Sequence, residues 1–449
     1  MSTAASGAKA ATYSLHALGV FCGLAAATWL AAAEAPTKLV TAGFSPFLIS
    51  LGMVAGVFVA RWTVPVALKG TSYVLMDLRE KPHLMVWALV AGMLWAVGNT
   101  LTVFAVRNVG LSIAFPLWNI NSLVGLFWGW LLFRELRGSG WGRVVGGAVA
   151  IVGGACLLAY ATAQHSNTLP GGAALGIVAA LSAGLMFGTM YIPYRKAYIS
   201  GMNPLSFVTI FTFGELGMVS TLAVLLDGGV HNVIAGLVRA RPALFWLFLG
   251  GFCWVVGDLF QNYAAKYIGI ARGIPLSNTN QLWGLAWGVL VFGELAGQGF
   301  TAHALVFTGS LIMILGAAAI CTAKASESEQ SSWKIAVERE CVRYGLNAER
   351  VRSSLLGEDP LSRDKPVRHW WEILIVGAAV GIFVWLAIGA EHQAVAVNLP
   401  WMVVLLITTL VCLLVCGLLL WKRTRSGRRR SRRSRASGRS PASCKTAGK

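Results

Sequence analysis

Apolar residues in this chain come in runs of about twenty, separated by short polar, Gly- or Pro-bearing breaks. A helix needs about 20 apolar residues to cross a bilayer. Runs of that length lie near 14–34, 45–66, 85–106, 111–133, 143–163, 172–192, 204–226, 243–264, 273–294 and 303–322. Residues 323–369 are charged and polar, and two more runs follow near 370–390 and 400–421. The pattern predicts ten spans, a charged linker and two further spans. The first run follows the polar residues 1–13 without a cleavage-site pattern, so it reads as a retained span.

Composition agrees. Of 449 residues, 56% are hydrophobic and 12% charged. A soluble fold of this length could not hide so much apolar surface. A cytosolic enzyme, a secreted disulfide scaffold and a disordered chain are all excluded. The fold class is an all-α polytopic membrane protein. The eight cysteines are scattered, without metal-site spacing to histidine, and read as buried thiols.

Charge gives the orientation, because Lys and Arg gather in cytoplasmic loops. With the N-terminus inside, the inner segments hold Lys9, Arg61, Lys69, Arg79, Lys81, Arg134, Arg137, Arg143, Arg195, Lys196, Lys266 and Arg272. The outer loops hold Lys38, Arg107, Arg239 and Arg241. The linker and the basic tail also fall inside. The reading is a multi-pass protein of the cell membrane with both termini cytoplasmic.

The chain repeats itself. Residues 87–136 and 246–295 align without a gap at an offset of 159, with 20 identities in 50 positions. ALGVFCGLAAATWLAAAEAP (17–36) matches ALGIVAALSAGLMFGTMYIP (174–193), and GFSP (43–46) matches GMNP (201–204). The unit is five spans. Five is odd, so the second copy (164–322) enters the membrane upside down relative to the first (14–163). Paired inverted halves are the construction behind alternating access in secondary transporters. Spans 11 and 12 (370–421) are expected outside this ten-helix bundle.

These segments resemble a known family. The 5+5 repeat is the drug/metabolite transporter superfamily pattern. AGMLWAVGN (91–99), VGLSIAFPLWNINSLVG (109–125), LFREL (132–136), GGFCWVVGD (250–258), IGIARGIPLSNTNQLWG (268–284) and MFGTMYIPYRK (186–196) look like the glucose/ribose porter family of bacterial sugar uptake proteins. The resemblance covers about residues 15–322 and implies sugar uptake. TWLAAAEAP (28–36) departs from the family's Trp-Gly-Ser pattern, and residues 323–449 lie outside it.

Polar side chains inside spans normally face a cavity or another helix. Asn119 and Asn121 in span 4 recur as Asn278 and Asn280 in span 9, with Gln281 beside them and, before them, Pro116 and Pro275, which break the backbone hydrogen-bond ladder locally. Amides donate and accept, which suits sugar hydroxyls. Trp118 and Trp283 offer flat faces to a sugar ring, as do Trp128 and Trp287. The other reading of the Asn pairs is helix bridging. Asp258, matched by Asn99, and Glu215 and Glu34 are acids inside spans and candidates for proton coupling. The alternative is pairing with a nearby Lys or Arg. Glu135 and Glu294 close spans in F-x-E-L and read as structural.

No catalytic arrangement, metal pair, cofactor site or nucleotide loop is present in the sequence. WKIAVERECVRYG (333–345) and NAERVRSSLLG (347–357) predict a helical hairpin in the linker, with Gly345 as C-cap and Asn347 as N-cap. The tail from 422 holds 12 of the 37 basic residues and no acid. It is expected to be disordered and to meet anionic lipid rather than nucleic acid. The reading is an importer of a neutral, hydroxyl-rich solute such as a monosaccharide, coupled to protons. An exporter of drugs or amphipathic metabolites on the same fold is the alternative, and a non-transporting sensor or scaffold the third. The partners are the sugar, protons and the bilayer; a homodimer is left open.

Overall fold

The computed structural model describes residues 2–40, 43–109, 114, 117–136, 140–163, 173–293, 295, 297–358, 368–391 and 397–436. Helices are the only regular secondary structure among them. The first half holds α1 (Ser2–Lys38), α2 (Pro46–Lys69), α3 (Thr71–Glu80), α4 (His83–Val109), α5 (Asn121–Phe133) and α6 (Trp141–Ala163). The second repeats this order: α7 (Ala173–Ile199), α8 (Pro204–Leu226), the short α9 (Val230–Arg239) and α10 (Arg241–Ile268). It continues through α11 (Ile270–Ser277), α12 (Asn280–Ala286), a π-helical turn (Trp287–Val291) and α13 (Phe300–Thr322). Beyond lie α14 (Glu327–Tyr344), α15 (Ala348–Leu355), α16 (Trp370–Ala387) and α17 (Leu399–Ala436).

The matched GFSP and GMNP segments are helix starts. Ser45 and Asn203 accept from Leu48 N at 3.3 Å and Leu205 N at 3.0 Å. Each is followed by a proline, which lacks the N–H that a first helical position leaves unused. Ser45 also donates to Asp227 at 2.8 Å, tying the start of α2 to the end of α8.

Among the described residues, ten helices are long and apolar enough to cross a membrane. The continuous spans predicted near 111–133 and 273–294 are not among them. In the fourth, Leu117 and Trp118 are helical, Asn119 and Ile120 form a turn, and a helix resumes at Asn121; Pro116 lies outside the described residues. The ninth is divided into α11, α12 and the π turn. Pro275 removes a backbone donor there, and the hydroxyls of Ser277 and Thr279 bond back to Ile274 O and Leu276 O at 2.8 and 2.7 Å. Hydropathy counts apolar residues and is blind to such breaks.

The halves meet reciprocally. α1 packs along α10, and its counterpart α7 packs along α4. A Cβ at Gly56 (α2) would lie 2.0 Å from Phe248 O, and one at the matched Gly214 (α8) 2.2 Å from Leu89 O, the residue matched to Phe248. Gly251 meets Met53 O and Gly92 meets Phe211 O in the same paired way, at 1.9 and 2.0 Å. Trp95 and its repeat partner Trp254 touch, with centroids 4.9 Å apart. Contacts that exchange partners in this manner are those of a two-fold relation. In a membrane, small residues permit this close backbone approach. The amphipathic α3 follows the end of α2, whereas α9 packs at its start, where Gly236 faces Leu48. The repeated short helices therefore sit at opposite ends of the bundle.

Helix α16 lies outside this core against α2 and α10, where Phe383 meets Phe248 and Phe252 with centroids 4.8 and 5.0 Å apart. Helix α17 lies against α1 and the π turn. Glu372 at the start of α16 caps α3, accepting from Thr71 N and Oγ1 at 2.7 and 2.8 Å. The predicted hairpin is present, with Gly345 at φ +62° closing α14 and Asn347 capping α15. It starts earlier than predicted because Ser326 caps α14, accepting from Glu329 N at 3.2 Å. The tail expected to be disordered from 422 is helical as far as Ala436. Arg is a good helix former, and an apolar helix already nucleated propagates at little cost. Residues 437–449 lie outside the described residues.

Candidate functional site

Arg61 is the centre of the site. The sequence grouped it with the inner-loop cations, yet α2 runs on to Lys69, which places Arg61 about 12 Å inside the helix end. Its side chain is fully buried. Nη2 donates to Asp258 Oδ2 at 2.8 Å, and Nη1 lies 3.4 Å from Glu215 Oε2. Both carboxylates are fully buried. The guanidinium stands 4.0 Å from the Phe211 ring centroid and 5.5 Å from that of Trp254. Two predicted proton-coupling acids are thus brought together by a third residue, from α8, α10 and α2. Glu34 is not in this group; it is exposed on α1.

The two carboxylates differ. Asp258 also accepts from Tyr194 OH at 3.3 Å. Among the described residues neither oxygen of Glu215 has a hydrogen-bond partner, and Arg61 Nε and Nη1 and Thr212 Oγ1 are likewise buried without one. One guanidinium balances one carboxylate. The group therefore carries a net negative charge unless it holds a proton.

Polar side chains in separate hydrogen-bonded sets line the way from here towards the broken spans. Tyr191, Tyr194 and Tyr198 share one face of α7, and Asp258, Gln261 and Asn262 share the facing side of α10. Tyr198 donates to Asn262, and Asn262 Nδ2 donates to Asp258 O at 2.7 Å. Gln261 Nε2 donates to Ser277 Oγ at 2.6 Å and approaches Tyr191 OH at 3.4 Å. Ser277 ends α11, and Asn278 follows. Asn278 Nδ2 donates to Asn121 Oδ1 at 2.7 Å and also to Ser122 Oγ. The two breaks are therefore joined across the halves by a direct amide bridge, the helix-bridging reading for Asn121 and Asn278.

The remaining candidates fall around this bridge. Asn119 is buried, and its backbone carbonyl accepts from Ser122 Oγ at 3.2 Å. Asn280 Oδ1 and Gln281 Nε2 are buried atoms without a hydrogen-bond partner among the described residues. Trp118 and Trp283 are half-buried; Trp118 packs with Ala180, whereas Trp283 packs with Ala31 and Trp287. Trp128 donates to Thr189 at 3.2 Å. Asn99, matched to Asp258, donates to Ser50 at 2.6 Å and has no part in the charged group.

At the end of the bundle where α7 and α10 finish, Glu135 accepts from Ile270 N at 3.3 Å and Ala271 N at 2.9 Å, capping α11, and pairs with Arg195 at 2.9 Å. Gly269 turns the chain there at φ +84°, and a Cβ would lie 2.7 Å from Glu135 Oε2. Glu294 lies outside the described residues. No cluster of three or more metal-ligating side chains is found among the described residues.

Sequence reasoning missed Arg61, Tyr191, Tyr194 and Tyr198. A charge eight residues before a span's end is a usable signal. The Tyr face would emerge from the 3, 4 and 7 spacing along α7.

The family described as sugar transport protein matches residues 233–343, from α9 through nearly all of α14. The match thus passes the limit at 322 set by the sequence motifs and takes in the first hairpin helix. A Listeria innocua protein named for sugar uptake is 26% identical over 245 residues, 53% of this chain and 78% of its own. Its Listeria monocytogenes counterpart is 25% identical over the same shares. A Lactobacillus johnsonii protein named for sugar uptake is 34% identical over 113 residues, 21% of this chain and 39% of its own. The chain is similar over these stretches to sugar transport proteins, as its repeat and motifs predicted.

Proposed function

We propose that this protein imports a neutral, hydroxyl-rich small solute, a monosaccharide, by alternating access coupled to protons. One observation carries the reading: polar side chains on the facing sides of α7 and α10 run from the buried Arg61–Asp258–Glu215 group to the Gln261–Ser277 hydrogen bond at the broken ninth span, next to the Asn278–Asn121 bridge. Discontinuous spans at the interface of inverted halves are where secondary transporters bind cargo. Asn121 and Asn278 hold each other. A sugar hydroxyl, both donor and acceptor, replaces either partner without leaving the other unsatisfied. Asn119, Asn280, Gln281, Trp118 and Trp283 complete the candidate cargo site. The names of the Listeria and Lactobacillus relatives support the same cargo class.

The charge count supports coupling. With one proton bound the group is neutral, and without it the group is a net anion in a medium that penalises charge. Protonation at Glu215 or Asp258 therefore favours the rearrangement that carries cargo across. The excess of Lys and Arg at one end supports a cytoplasmic location for both termini.

Purified protein in liposomes tests the reading, with labelled monosaccharides outside and an acid-outside pH gradient. Accumulation should collapse with a proton ionophore. The amide variant of the proton carrier, Glu215→Gln or Asp258→Asn, should lose accumulation and keep sugar exchange. Efflux of cationic or aromatic compounds with no sugar flux would refute it in favour of an exporter.

A further inference from the structure

Helices α14 and α15 fasten to both halves of the bundle. On the second half, Glu329 holds Arg272 through two bonds, 2.7 Å from Nη1 and 2.8 Å from Nη2, with both side chains at most 2% exposed. Glu340 pairs with Lys196 at 2.5 Å, and the Arg195 guanidinium stands 4.6 Å from the Trp333 ring centroid. Ser354 donates to Gly201 O at 3.1 Å. On the first half, Arg350 meets Glu80 at 2.7 Å, and the Tyr344 ring stacks on His83 with centroids 3.7 Å apart. Val337, Cys341 and Val351 close over Ile199.

The placement of Arg272 matters. It lies in α11, the half-helix whose far end leads into Asn278, so Glu329 grips the element that presents the bridging amide. Glu135 of the first half caps the same half-helix. A hairpin this small cannot hold a core alone, so its fold depends on staying docked.

We propose that this hairpin is a strap that restrains opening at the cytoplasmic end, by tying Glu80 and His83 of the first half to Lys196 and Arg272 of the second. The inference rests on the alternating-access reading: opening at this end parts the halves there, and one set of strap contacts must break. Arg272–Glu329 is buried and bidentate and stays made. Arg350–Glu80 is solvent-exposed, hence weak, and is the catch that releases.

The test uses full-length protein in liposomes. Cys341, 5% exposed on the face of α14 that docks on the bundle, is a native reporter. Its labelling by an impermeant maleimide from the cytoplasmic face is read by peptide mass spectrometry, alongside counterflow of a labelled monosaccharide. E340K sets like charges against Lys196, and K196E/E340K restores an opposed pair; R350E and E80R/R350E do the same on the first half. Each single variant should raise both Cys341 labelling and counterflow about fivefold, the scale of a lost pair plus a like-charge contact. Each double variant should return both to the wild-type value. Unchanged labelling in the single variants overturns the strap, as does faster labelling with slower or unchanged counterflow. Absence of sugar flux in the wild type overturns the transport reading itself and the restraint with it, whereas normal wild-type flux that no variant alters overturns the strap alone.

Discussion

Arg61→Met should be the most damaging single change in the bundle. The substitution keeps a long apolar stem and removes the guanidinium. Asp258 and Glu215 then face each other, fully buried, without the one cation paired with them among the described residues. At an effective dielectric of about 20, charges roughly 4 Å apart attract by about 4 kcal/mol, and removing one partner of a buried pair costs about 3–5 kcal/mol. The lost contacts with Phe211 and Trp254 add about 1 kcal/mol. The unfolding midpoint in detergent at neutral pH should therefore fall by several degrees, with loss of monodisperse protein. The acids themselves are not equivalent. Asp258→Asn removes a 2.8 Å charged hydrogen bond and should cost about 1.5–3 kcal/mol. Glu215→Gln removes a carboxylate that lies 3.4 Å from Arg61 but holds no hydrogen bond among the described residues, and it leaves a balanced Arg61–Asp258 pair, so it should not destabilise. The combination Arg61→Met/Asp258→Asn/Glu215→Gln, with no charge left, should recover most of the loss of Arg61→Met. An Arg61→Met protein as stable as wild type, or a triple variant no better than the single one, would refute the charge argument.

Two further predictions concern packing and the amide bridge. Gly214→Ala puts a Cβ 2.2 Å from Leu89 O, and Gly56→Ala one 2.0 Å from Phe248 O; each should cost about 1–3 kcal/mol, whereas Gly146→Ala, with open space around it, should leave the detergent unfolding midpoint unchanged. Asn278→Ala leaves Asn121 Oδ1 and Ser122 without their shared donor; the KM for sugar should rise roughly tenfold with little change in maximal rate, measured as initial uptake in liposomes, and an unchanged KM would count against the cargo site.

What the sequence revealed was local or repeated. The span starts at Ser45-Pro46 and Asn203-Pro204, the cap at Asn347 and the turn at Gly345 each need only a few adjacent residues. The repeat announced itself because both copies keep their glycines and tryptophans. Arg61 was hidden for the opposite reason. Its partners lie 154 and 197 residues away, and a cation near the end of an apolar run looks like a loop anchor until the helix is seen to continue. The break in the ninth span was legible in part: Pro275 marks a local loss of the backbone ladder, but Ser277 and Thr279 sit within a run apolar enough to pass as one continuous span.

The division between shared and unshared residues bears on mechanism. Gly56 and Gly214, Gly92 and Gly251, and Trp95 and Trp254 occupy matched places and build the interface. The charged group has no such match. Arg61 corresponds to Val219, Glu215 to Val57 and Asp258 to Asn99. A frame whose halves pack alike lets either half adopt the other's arrangement at similar energy. A charge present on only one side breaks that equality, because the two arrangements then solvate it differently. On the alternating-access reading proposed above, the duplicated frame would supply two states, and the unmatched charged group is where protons would set the balance between them.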